Sequence, residues 1–187
     1  MRVLAGALKG RRLVVPRGTT TRPTADQVRL ALLDALTPSL PGARVLDLFA
    51  GAGGVGFEAL SRGAAHATFV ERDPRALAAL DANVEALGVA ASTRVVRGDV
   101  ARVLPRLAMP GGPFTIVFLD PPYDGADVAG TVACLGEGAL TRPAAVIVAQ
   151  HPTKRPPPDR VGCLAMYRTR RFGETTLTFY RHEAGPP

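Results

Sequence analysis

Residues 114–123 read Phe-Thr-Ile-Val-Phe-Leu-Asp-Pro-Pro-Tyr. The run Phe114–Leu119 has the apolar, β-prone composition of a strand that is buried on both faces of a parallel sheet. Proline fixes φ, has no N–H to donate and holds the preceding residue extended, so the chain leaves this strand as a stiff segment. The sequence therefore predicts a central strand with Asp120 at its carboxyl end, followed by carbonyl groups that point outward without a backbone partner.

The four residues Asp120-Pro121-Pro122-Tyr123 suit the binding of a flat group that carries an NH2. The amine would donate its hydrogens to Asp120 and to a proline carbonyl, and the ring of Tyr123 would stack on its face. The same residues also suit a proline-stiffened turn with an Asp and a Tyr on the surface. Taken alone, they leave both interpretations open.

Strand and helix patterns alternate along the middle of the chain, which implies parallel strands joined by right-handed crossovers with helices on both faces. Strands are predicted at Arg44–Leu48, His66–Val70, Arg94–Arg97, Phe114–Leu119 and Ala144–Ala149, and helices at about 54–62, 74–87, 100–107 and 127–135. Two further β-like runs, Gly162–Thr169 and Glu174–Arg181, predict an antiparallel hairpin. The predicted fold class is α/β: a Rossmann-like, doubly wound, mostly parallel sheet of the seven-stranded type that ends in this antiparallel C-terminal hairpin.

The start of the chain predicts an appended arm. Arg2–Ala5 and Arg11–Val15 are short β-prone runs around two glycines, which indicates an N-terminal β-hairpin. A helix follows, with Thr24 expected as its N-cap and Pro38 at its end. We predict an arm at residues 1–22 and a single domain at residues 23–187.

Charge is unevenly distributed along the 187 residues. Residues 1–30 carry seven basic side chains against one acidic, residues 31–150 are net acidic, and residues 151–187 carry seven basic against three acidic. Basic ends around an acidic middle favour a polyanion bound by the ends, with a cofactor in the core. A GC-rich genome would also enrich arginine, but it would not place the charge at the ends. The candidate nucleic-acid contacts are Arg11, Arg12, Arg22, Thr24 and Arg29.

Other classes of protein are disfavoured by composition. No apolar run is long enough to span a bilayer, and Met1 is not followed by a charged-then-apolar leader, so we expect a cytoplasmic protein without a membrane. Cys134 and Cys163 lack metal or redox spacing and are expected to be reduced core residues. The three histidines, His66, His151 and His182, have neither triad nor metal spacing, so each is expected at the surface or at an edge, and no metal site is predicted. A monomer is the simplest expectation.

Four acidic residues lie at or just beyond the predicted strand ends, where open α/β sheets bind ligands. They are Asp47, Glu71, Asp99 and Asp120. Residues 51–56 read Gly-Ala-Gly-Gly-Val-Gly, a literal G-x-G-x-x-G that on its own formally suggests a nicotinamide cofactor. Glu71 would suit a ribose diol in either case.

Asp47 distinguishes between a nicotinamide cofactor and S-adenosylmethionine. It precedes the glycines, where a carboxylate would repel a pyrophosphate but attract a cationic sulfonium and an α-amino group. Asp99 would accept a hydrogen bond from an adenine amine, so S-adenosylmethionine satisfies three carboxylates whereas NAD suits one. We therefore predict S-adenosylmethionine as the cofactor. The candidate cofactor-binding residues are Asp47, Phe49, Ala50, Gly51, Gly53, Glu71, Arg72, Asp99, Val100 and Asp120.

These motifs occur in the order typical of amino-methyltransferases. With the segment Arg22-Pro23-Thr24, the basic hairpin and the closing Phe172-Gly173-Glu174-Thr175, nearly the whole chain resembles the RsmD-like family of bacterial 16S ribosomal RNA guanine-N2 methyltransferases. The resemblance implies methylation of a guanine N2 amine during ribosome assembly, with ribosomal RNA or an assembling 30S particle as partner. Asp120, Pro121, Pro122 and Tyr123 then become the candidate catalytic residues. One departure is Gln150-His151, where the family is expected to carry Glu-His.

Three alternatives share part of the pattern. A DNA adenine-N6 methyltransferase would have the same core, but it usually carries a target-recognition region for which 187 residues leave little room. A nicotinamide oxidoreductase is disfavoured by Asp47 and has no use for residues 120–123. A non-catalytic RNA-binding assembly factor suits the basic ends but leaves the four ordered acids unexplained.

Overall fold

The computed structural model describes residues 1–16, 23–108, 110–122, 127–137 and 139–183. In these ranges eight strands form one sheet in the order β3-β2-β1-β4-β5-β8-β7-β6. The strands are β1 (Arg44–Leu48), β2 (His66–Glu71), β3 (Thr93–Arg97), β4 (Phe114–Leu119), β5 (Thr141–Pro152), β6 (Arg160–Val161), β7 (Leu164–Phe172) and β8 (Thr175–His182). The α-helices are α1 (Pro23–Leu36), α2 (Gly54–Ser61), α3 (Pro74–Leu87), α4 (Val100–Val103) and α5 (Val128–Glu137).

Strand β1 lies at the switch point of the sheet. It pairs in parallel with β2 on one side and with β4 on the other. The strand order therefore runs outward from β1 toward both edges of the sheet. Asp47 of β1 is opposite Phe118 of β4 in the register, which brings Asp120 to the same edge of the sheet. The predicted α/β class and the doubly wound, mostly parallel sheet are confirmed.

Helices cover both faces of the sheet, as right-handed crossovers require. On one face α5 packs through Val132 and Leu135 against buried residues of β4 and β5. On the other face α1 packs through Val28 and Leu32, and α2 and α3 lie beside it over β2. The ligand-binding edge is left open between the two helical layers. No helix in the described ranges is long and apolar enough to cross a bilayer.

Several predicted boundaries need correction. The helix α1 begins at Pro23, so Thr24 lies inside its first turn and is not the residue that precedes it. The helix expected at about 100–107 ends at Val103 and continues as a 3₁₀ turn, because Pro105 lacks the N–H that an α-helix needs. Strand β5 runs to Pro152, three residues beyond the prediction, because antiparallel pairing with β8 extends it. The two-residue strand β6 at the sheet edge was not predicted.

Two expectations about individual side chains are wrong. Cys163 is exposed in the turn before β7, and Cys134 of α5 is only half-buried, so neither is a fully buried core residue. His151 is buried, although a surface or edge position was expected for it. Its ring is held by the Pro152 carbonyl at 2.9 Å and by the Thr178 hydroxyl at 2.8 Å.

The N-terminal segment is a hairpin with a single ladder bridge, Arg2 to Arg12, where two longer runs were predicted. The reason is a competing acceptor on α2. The buried Glu58 carboxylate accepts from the N–H groups of Leu4 at 2.7 Å and Ala5 at 2.8 Å, so these groups are not available for the hairpin ladder. Val3 and Leu13 of the segment enter the core beside Phe57, Phe69 and Leu80. The proposed division at residue 22 lies outside the described part of the chain.

We expect Glu58→Gln to loosen this segment. Glu58 has three donors, the two amides and Arg62 Nε at 3.1 Å, whereas glutamine offers one acceptor oxygen and an NH2 that clashes electrostatically with a donor. The cost is about 1–3 kcal/mol of unfolding free energy for the unsatisfied buried group. Hydrogen exchange of the peptide that contains Leu4 and Ala5 should become faster.

The matched control is Asp34→Asn, because Asp34 also pairs with Arg62 but is 56% exposed. An exposed pair contributes about 0–1 kcal/mol, so this variant should leave the exchange unchanged. Equal exchange in both variants would contradict the role given to Glu58.

Candidate active site

Three adjoining cavities form one cleft at the carboxyl ends of the parallel strands. They measure about 670, 410 and 330 Å³, and all three are lined by Phe49. Asp120 is shared by the largest and the smallest, and Asp99 lines the third. The four acidic residues predicted from the sequence therefore lie along one cleft, where Glu71 and Asp120 line the same two cavities.

Asp47 is positioned by the helix that follows it. Its Oδ2 accepts from the Gly56 N–H of α2 at 2.9 Å, and the side chain is only 2% exposed. Burial, together with the negative charges of Asp120 and Glu71, raises the pKa of Asp47 to about 8, although the Gly56 hydrogen bond opposes this. A cation bound beside it would favour the ionised carboxylate.

Three glycines of the loop at residues 51–56, the glycine loop, have different structural roles. Gly53 caps α2 with φ of 84°, and Gly51 has φ of 56°, conformations that other residues rarely adopt. At Gly56 a Cβ atom would lie 2.2 Å from the Phe69 ring. Glycine there lets α2 approach β2 closely, which brings the N-terminus of α2 to the cleft.

Glu71 orders the loops around the cleft. Its Oε2 accepts from the Gly51 N–H at 2.7 Å, and its Oε1 accepts from the N–H groups of Arg72 and Asp73, each at 2.7 Å. A carboxylate has about four acceptor sites, so three of them are used by the backbone. The contact of Glu71 with a ribose diol stays a prediction.

Phe49 is the one non-glycine residue with positive φ, at 60°, in the described part of the chain. Such strained backbone is typical of functional sites. Asp99 forms the far wall, where its carboxylate caps α4 through the Ala101 N–H at 3.1 Å and pairs with Arg72 at 2.9 Å. Val100 follows, buried at the base. These apolar and polar groups together suit a heterocycle with an exocyclic amine.

Asp120 follows β4 directly and lines the two cavities that hold Glu71. Burial raises its pKa to about 7. Among the described residues, no hydrogen bond reaches the carbonyl oxygens of Pro121 or Pro122. Residues 123–126 lie outside that part of the chain, so the unpaired carbonyls stay a prediction. Tyr123 lies outside the described residues, so its stacking role stays a prediction.

The predicted nucleic-acid contacts occupy different environments. Arg11 and Arg12 are exposed on the N-terminal hairpin, and the Arg11 guanidinium contacts the Ala86 carbonyl. Arg29 is only 7% exposed and lies in the wall of the largest cavity. Arg22 and the side chain of Thr24 lie outside the described part.

Some residues in or beside the cleft were not predicted as site residues from the sequence. Asn83 of α3 is fully buried and joins the hairpin to the glycine loop, donating to the Val14 carbonyl at 2.9 Å and to the Ala52 carbonyl at 3.0 Å. A polar residue on the apolar face of α3 was the available signal. Gln150 lines the largest cavity and a further one behind Pro122. Arg75 also lines the largest cavity and gave no sequence signal.

The lining of the cleft fits S-adenosylmethionine. Asp47 and Asp120 face a cavity that would receive its cationic end, since opposite charges attract most strongly where water is excluded. Phe49, Leu104 and Pro105 provide apolar surface beside Asp99, which is what an adenine with its amine requires. A pyrophosphate, in contrast, would meet the Asp47 carboxylate at the glycine loop.

Solved structures place this fold and site in one class. A structure described as "Putative methyltransferase yhhF from Escherichia coli" is 34% identical, covers 99% of each chain and has a TM-score of 0.85. An S-adenosylmethionine-dependent methyltransferase from Thiobacillus denitrificans, solved with S-adenosyl-L-homocysteine, is 25% identical over 67% of this chain and 48% of its own, with a TM-score of 0.55. The fold and site are those of a class I S-adenosylmethionine-dependent methyltransferase, and S-adenosylmethionine is the cofactor of that class.

Sequence relatives identify the family. "Putative rRNA methyltransferase YlbH" of Bacillus subtilis is 38% identical over 97% of this chain and 98% of its own length. "Ribosomal RNA small subunit methyltransferase D" of Escherichia coli K12 is 34% identical over 98% and 91%. Residues 1–181 match the model of the family described as Conserved hypothetical protein 95. The chain belongs to this family, the RsmD family of methyltransferases.

Proposed function

We propose that this protein transfers a methyl group from S-adenosylmethionine to the exocyclic N2 amine of a guanine in small-subunit ribosomal RNA during ribosome assembly. The observation that carries the proposal is Asp120, which follows β4 beside the switch point of the sheet, next to two proline carbonyls to which no group in the described part of the chain donates. This acceptor pair matches a planar amine. The names of the Escherichia coli and Bacillus subtilis relatives support ribosomal RNA as the substrate.

The chemical problem is the weak nucleophilicity of a guanine amine, whose lone pair is delocalised into the ring. S-adenosylmethionine supplies an electrophilic methyl group on a sulfonium. Asp120 and the Pro121 or Pro122 carbonyl would accept the two amine hydrogens, which favours a pyramidal nitrogen and directs its lone pair into the cleft. Fixed acceptors at a developing positive charge, together with alignment of the two reactants, would supply most of the acceleration.

The ionisation of Asp120 matters for this step. Its pKa is raised to about 7 by burial, so the carboxyl is partly protonated near neutral pH. A carboxylate accepts a hydrogen bond from the amine, whereas a protonated carboxyl presents an O–H donor where the amine needs an acceptor. The nearby carboxylates Asp47 and Glu71 favour a bound cation, and Asp120 would hold the proton that the product amine releases or pass it to water.

The substrate must present a guanine edge to a recessed site. Sequence-specific RNA recognition uses unpaired or splayed-out bases, which implies a single-stranded or flipped target. Stacking of the base on an aromatic ring such as the predicted Tyr123 would contribute about 1–3 kcal/mol. Exposed arginines on the hairpin would bind the flanking phosphates.

Transfer of a tritiated methyl group tests the reaction directly. The substrates are small-subunit particles and naked ribosomal RNA that lack the modification, incubated with labelled S-adenosylmethionine and followed by nucleoside analysis. We expect labelled N2-methylguanosine, and about 10²- to 10³-fold slower labelling with Asp120→Ala. Labelled N6-methyladenine would overturn the guanine assignment and move the enzyme to the adenine class. Cofactor binding without any labelled RNA would contradict the ribosomal RNA substrate.

The hairpin arginines should set the salt dependence of RNA binding. Replacing Arg11 and Arg12 together with glutamine should reduce the slope of log K against log salt by about 0.7–0.9 for each phosphate contact that is lost. The slope is measured by titrating labelled RNA at several salt concentrations.

The matched control is Arg97→Gln with Arg160→Gln, which removes the same charge from two exposed arginines already paired with Asp81 and Glu183. If Arg11 and Arg12 contact phosphates specifically, the slope of log K against log salt should be unchanged in this control. The same loss of slope in both double variants would mean that only net charge matters.

A further inference from the structure

The C-terminal hairpin of β7 and β8 carries four arginines that no described carboxylate neutralises. Among the residues that the structure describes, none of the four forms an ion pair. They are Arg168, Arg170, Arg171 and Arg181. Other exposed arginines do pair with an acidic side chain, as Arg97 does with Asp81. Uncompensated like charges on one hairpin create a positive potential that attracts a polyanion.

Three of the four arginines project from the same face of the sheet. In the register Arg168 lies opposite Phe179. Arg170 lies opposite Leu177, and both of these apolar residues belong to the core that α1 covers. Opposite residues of an antiparallel pair share a face, and so do residues two apart on one strand. Arg181, two residues after Phe179, therefore lies on this face as well.

A β-bulge adds an aromatic ring to the same surface. The register of β7 shifts between Met166 and Arg168, so Tyr167 has no Cα partner on β8. A bulge redirects side chains, and the Tyr167 ring centroid lies 6.2 Å from that of Phe179 in an edge-on arrangement. The guanidinium of Arg181 lies 5.1 Å from the Tyr167 ring, and that of Arg168 lies 5.7 Å from the Phe179 ring. Tyr167 is 43% exposed, so part of its ring is available for stacking.

This surface lies between the cleft and the N-terminal hairpin. Strand β8 is antiparallel to both β5 and β7, so β7 runs in the direction of β5 and its carboxyl end lies at the edge of the sheet that holds the cleft. Arg170 Nη1 donates to the Ala31 carbonyl of α1 at 3.4 Å. Two residues earlier in α1, Arg29 donates to the Arg2 carbonyl of the N-terminal hairpin at 2.8 Å. Helix α1 therefore contacts both basic ends of the chain on one face of the sheet.

We propose that Tyr167, Arg168, Arg170 and Arg181, the β7–β8 surface, bind a single-stranded segment of the RNA substrate beside the base in the cleft. Arginine binds phosphates bidentately and stacks on bases, and aromatic rings in a basic groove bind single strands. Alternate residues of β7 lie about 6.6 Å apart, so Arg168 and Arg170 would contact separate phosphates. This assignment rests on RNA as the substrate in the proposed function. It extends the predicted contacts from the N-terminal hairpin to the other side of α1.

A competing explanation is that these side chains only protect the edge of the sheet. Strand β6 pairs with β7 at Leu164 and Ala165 alone, so from Tyr167 onward β7 is an edge strand in the described part of the chain. Charged side chains on an edge strand prevent pairing with other chains. A purely protective role would affect stability and aggregation, whereas an RNA contact would affect RNA affinity and its dependence on salt.

Tyr167→Trp tests direct contact, because the chain contains no tryptophan and the variant has a single indole fluorophore. The probes are a single-stranded oligoribonucleotide of mixed sequence and naked small-subunit ribosomal RNA, both without S-adenosylmethionine. We expect RNA to quench the indole fluorescence, because a base stacks on the ring, and quenching should saturate together with the binding of labelled RNA. Binding of RNA without quenching would overturn the proposal.

Replacing Arg168 and Arg181 together with glutamine tests the charge. The slope of log K against log salt should fall by about 0.7 for each phosphate contact that is lost from a single strand. Replacing both with lysine should keep the slope, because the charge is kept. The matched control is Arg97→Gln with Arg142→Gln, two exposed arginines on β3 and at the amino end of β5, and its slope should match that of wild-type protein.

The remaining outcomes distinguish the two explanations. Unchanged RNA affinity with a lower Tm or with aggregation of the double glutamine variant would support the protective role and overturn ours. An equal loss of slope in the control would also overturn it, as would normal binding to naked RNA with lost binding to small-subunit particles, which would indicate a protein partner. If the glutamine variant folds poorly, the fluorescence of Tyr167→Trp decides.

Failure of this proposal is distinguishable from failure of the proposed function. If wild-type protein bound neither RNA, ribosomal RNA as the substrate and this surface would both be overturned. If RNA bound normally but the Tyr167→Trp signal and the salt slope did not respond, only this surface would be overturned. No methyl transfer is followed in these titrations, so a failed guanine assignment would leave their result intact.

Discussion

Replacement of Asp120 with alanine is expected to lower kcat/KM for methyl transfer by about 10²- to 10³-fold, the usual effect of removing one fixed group that stabilises charge in a transition state. The alanine side chain offers no acceptor for the target amine, so the amine would lose one of its two partners. Cofactor affinity should change far less, because Asp47 still provides a carboxylate in the same cavity. Single-turnover methylation and equilibrium cofactor binding separate the two effects.

Asp120→Asn tests how much of the effect comes from charge. Asparagine keeps one acceptor oxygen, so its activity should fall between wild-type and Asp120→Ala. Burial raises the pKa of Asp120 to about 7, and the acceptor form is the ionised one. Wild-type activity should therefore rise as the pH increases through about 7, whereas the asparagine variant, which does not titrate, should lack this rise.

Asp127→Asn is the matched control for both variants. Asp127 lines the neighbouring cavity and accepts from the Gly130 N–H at 2.8 Å, a bond that asparagine can keep. Its activity and pH profile should match those of wild-type protein. Full activity of Asp120→Ala would remove this carboxylate from the mechanism.

Elements with strong local signals were predicted closely. Strand β4 has the predicted bounds, because six consecutive β-prone residues end at a stiff Asp-Pro-Pro. Helix α3 also has the predicted bounds of residues 74–87: Asp73 caps its start by accepting from the Arg75 and Ala76 N–H groups, and Gly88 ends it with φ of 70°. Here the side chains within a few residues of each boundary decide the structure.

The N-terminal hairpin is present, but the extent of its ladder was not predictable locally because its partners are distant in sequence. Glu58 accepts hydrogen bonds from the Leu4 and Ala5 N–H groups although it lies more than fifty residues away in the sequence. The sequence of the hairpin alone does not predict these bonds. The burial of Arg29 was also not predictable from its neighbours in the sequence. A basic helix residue is usually solvated, and only the packing of α1 against the hairpin and the glycine loop encloses it.

The candidate site was predictable to the extent that topology decides it. Acidic residues at the carboxyl ends of parallel strands must meet at one edge, and Asp47, Glu71, Asp99 and Asp120 do so. Their individual bonds were not predictable. Glu71 accepts hydrogen bonds from three loop amides. These bonds depend on the geometry of the loops, which the spacing of the acidic residues in the sequence does not predict.

Asp47→Asn should lower the affinity for S-adenosylmethionine by about 10- to 100-fold, because it removes the buried charge that faces the cationic end of the cofactor. Asparagine keeps an oxygen for the Gly56 N–H, so α2 and the glycine loop should keep their positions. The measurement is calorimetric titration of wild-type and variant protein with S-adenosylmethionine. Unchanged affinity would contradict the electrostatic role of Asp47.

The pH dependence of stability gives an independent check of the same carboxyl group. Burial raises the native pKa of Asp47 to about 8, whereas an unfolded Asp titrates near 3.8, so between these values the native state holds a proton that the unfolded state has lost. The free energy of unfolding of the ligand-free protein should therefore decrease as the pH rises from about 4 to about 8. Asp47→Asn should lack this contribution, so the free energy of unfolding of the variant should fall less steeply over the same interval.

Cofactor binding should show the opposite dependence on pH. A cation binds the ionised form of Asp47, so the affinity of wild-type protein for S-adenosylmethionine should increase up to about pH 8, with release of a proton to the buffer. Titrations in buffers of different ionisation enthalpy detect that proton. In Asp47→Asn the released fraction should fall to what Asp120 contributes, whose pKa is about 7. Equal proton release in the two proteins would show that another group carries the charge, and the cationic end of the cofactor would then have to lie elsewhere in the cleft.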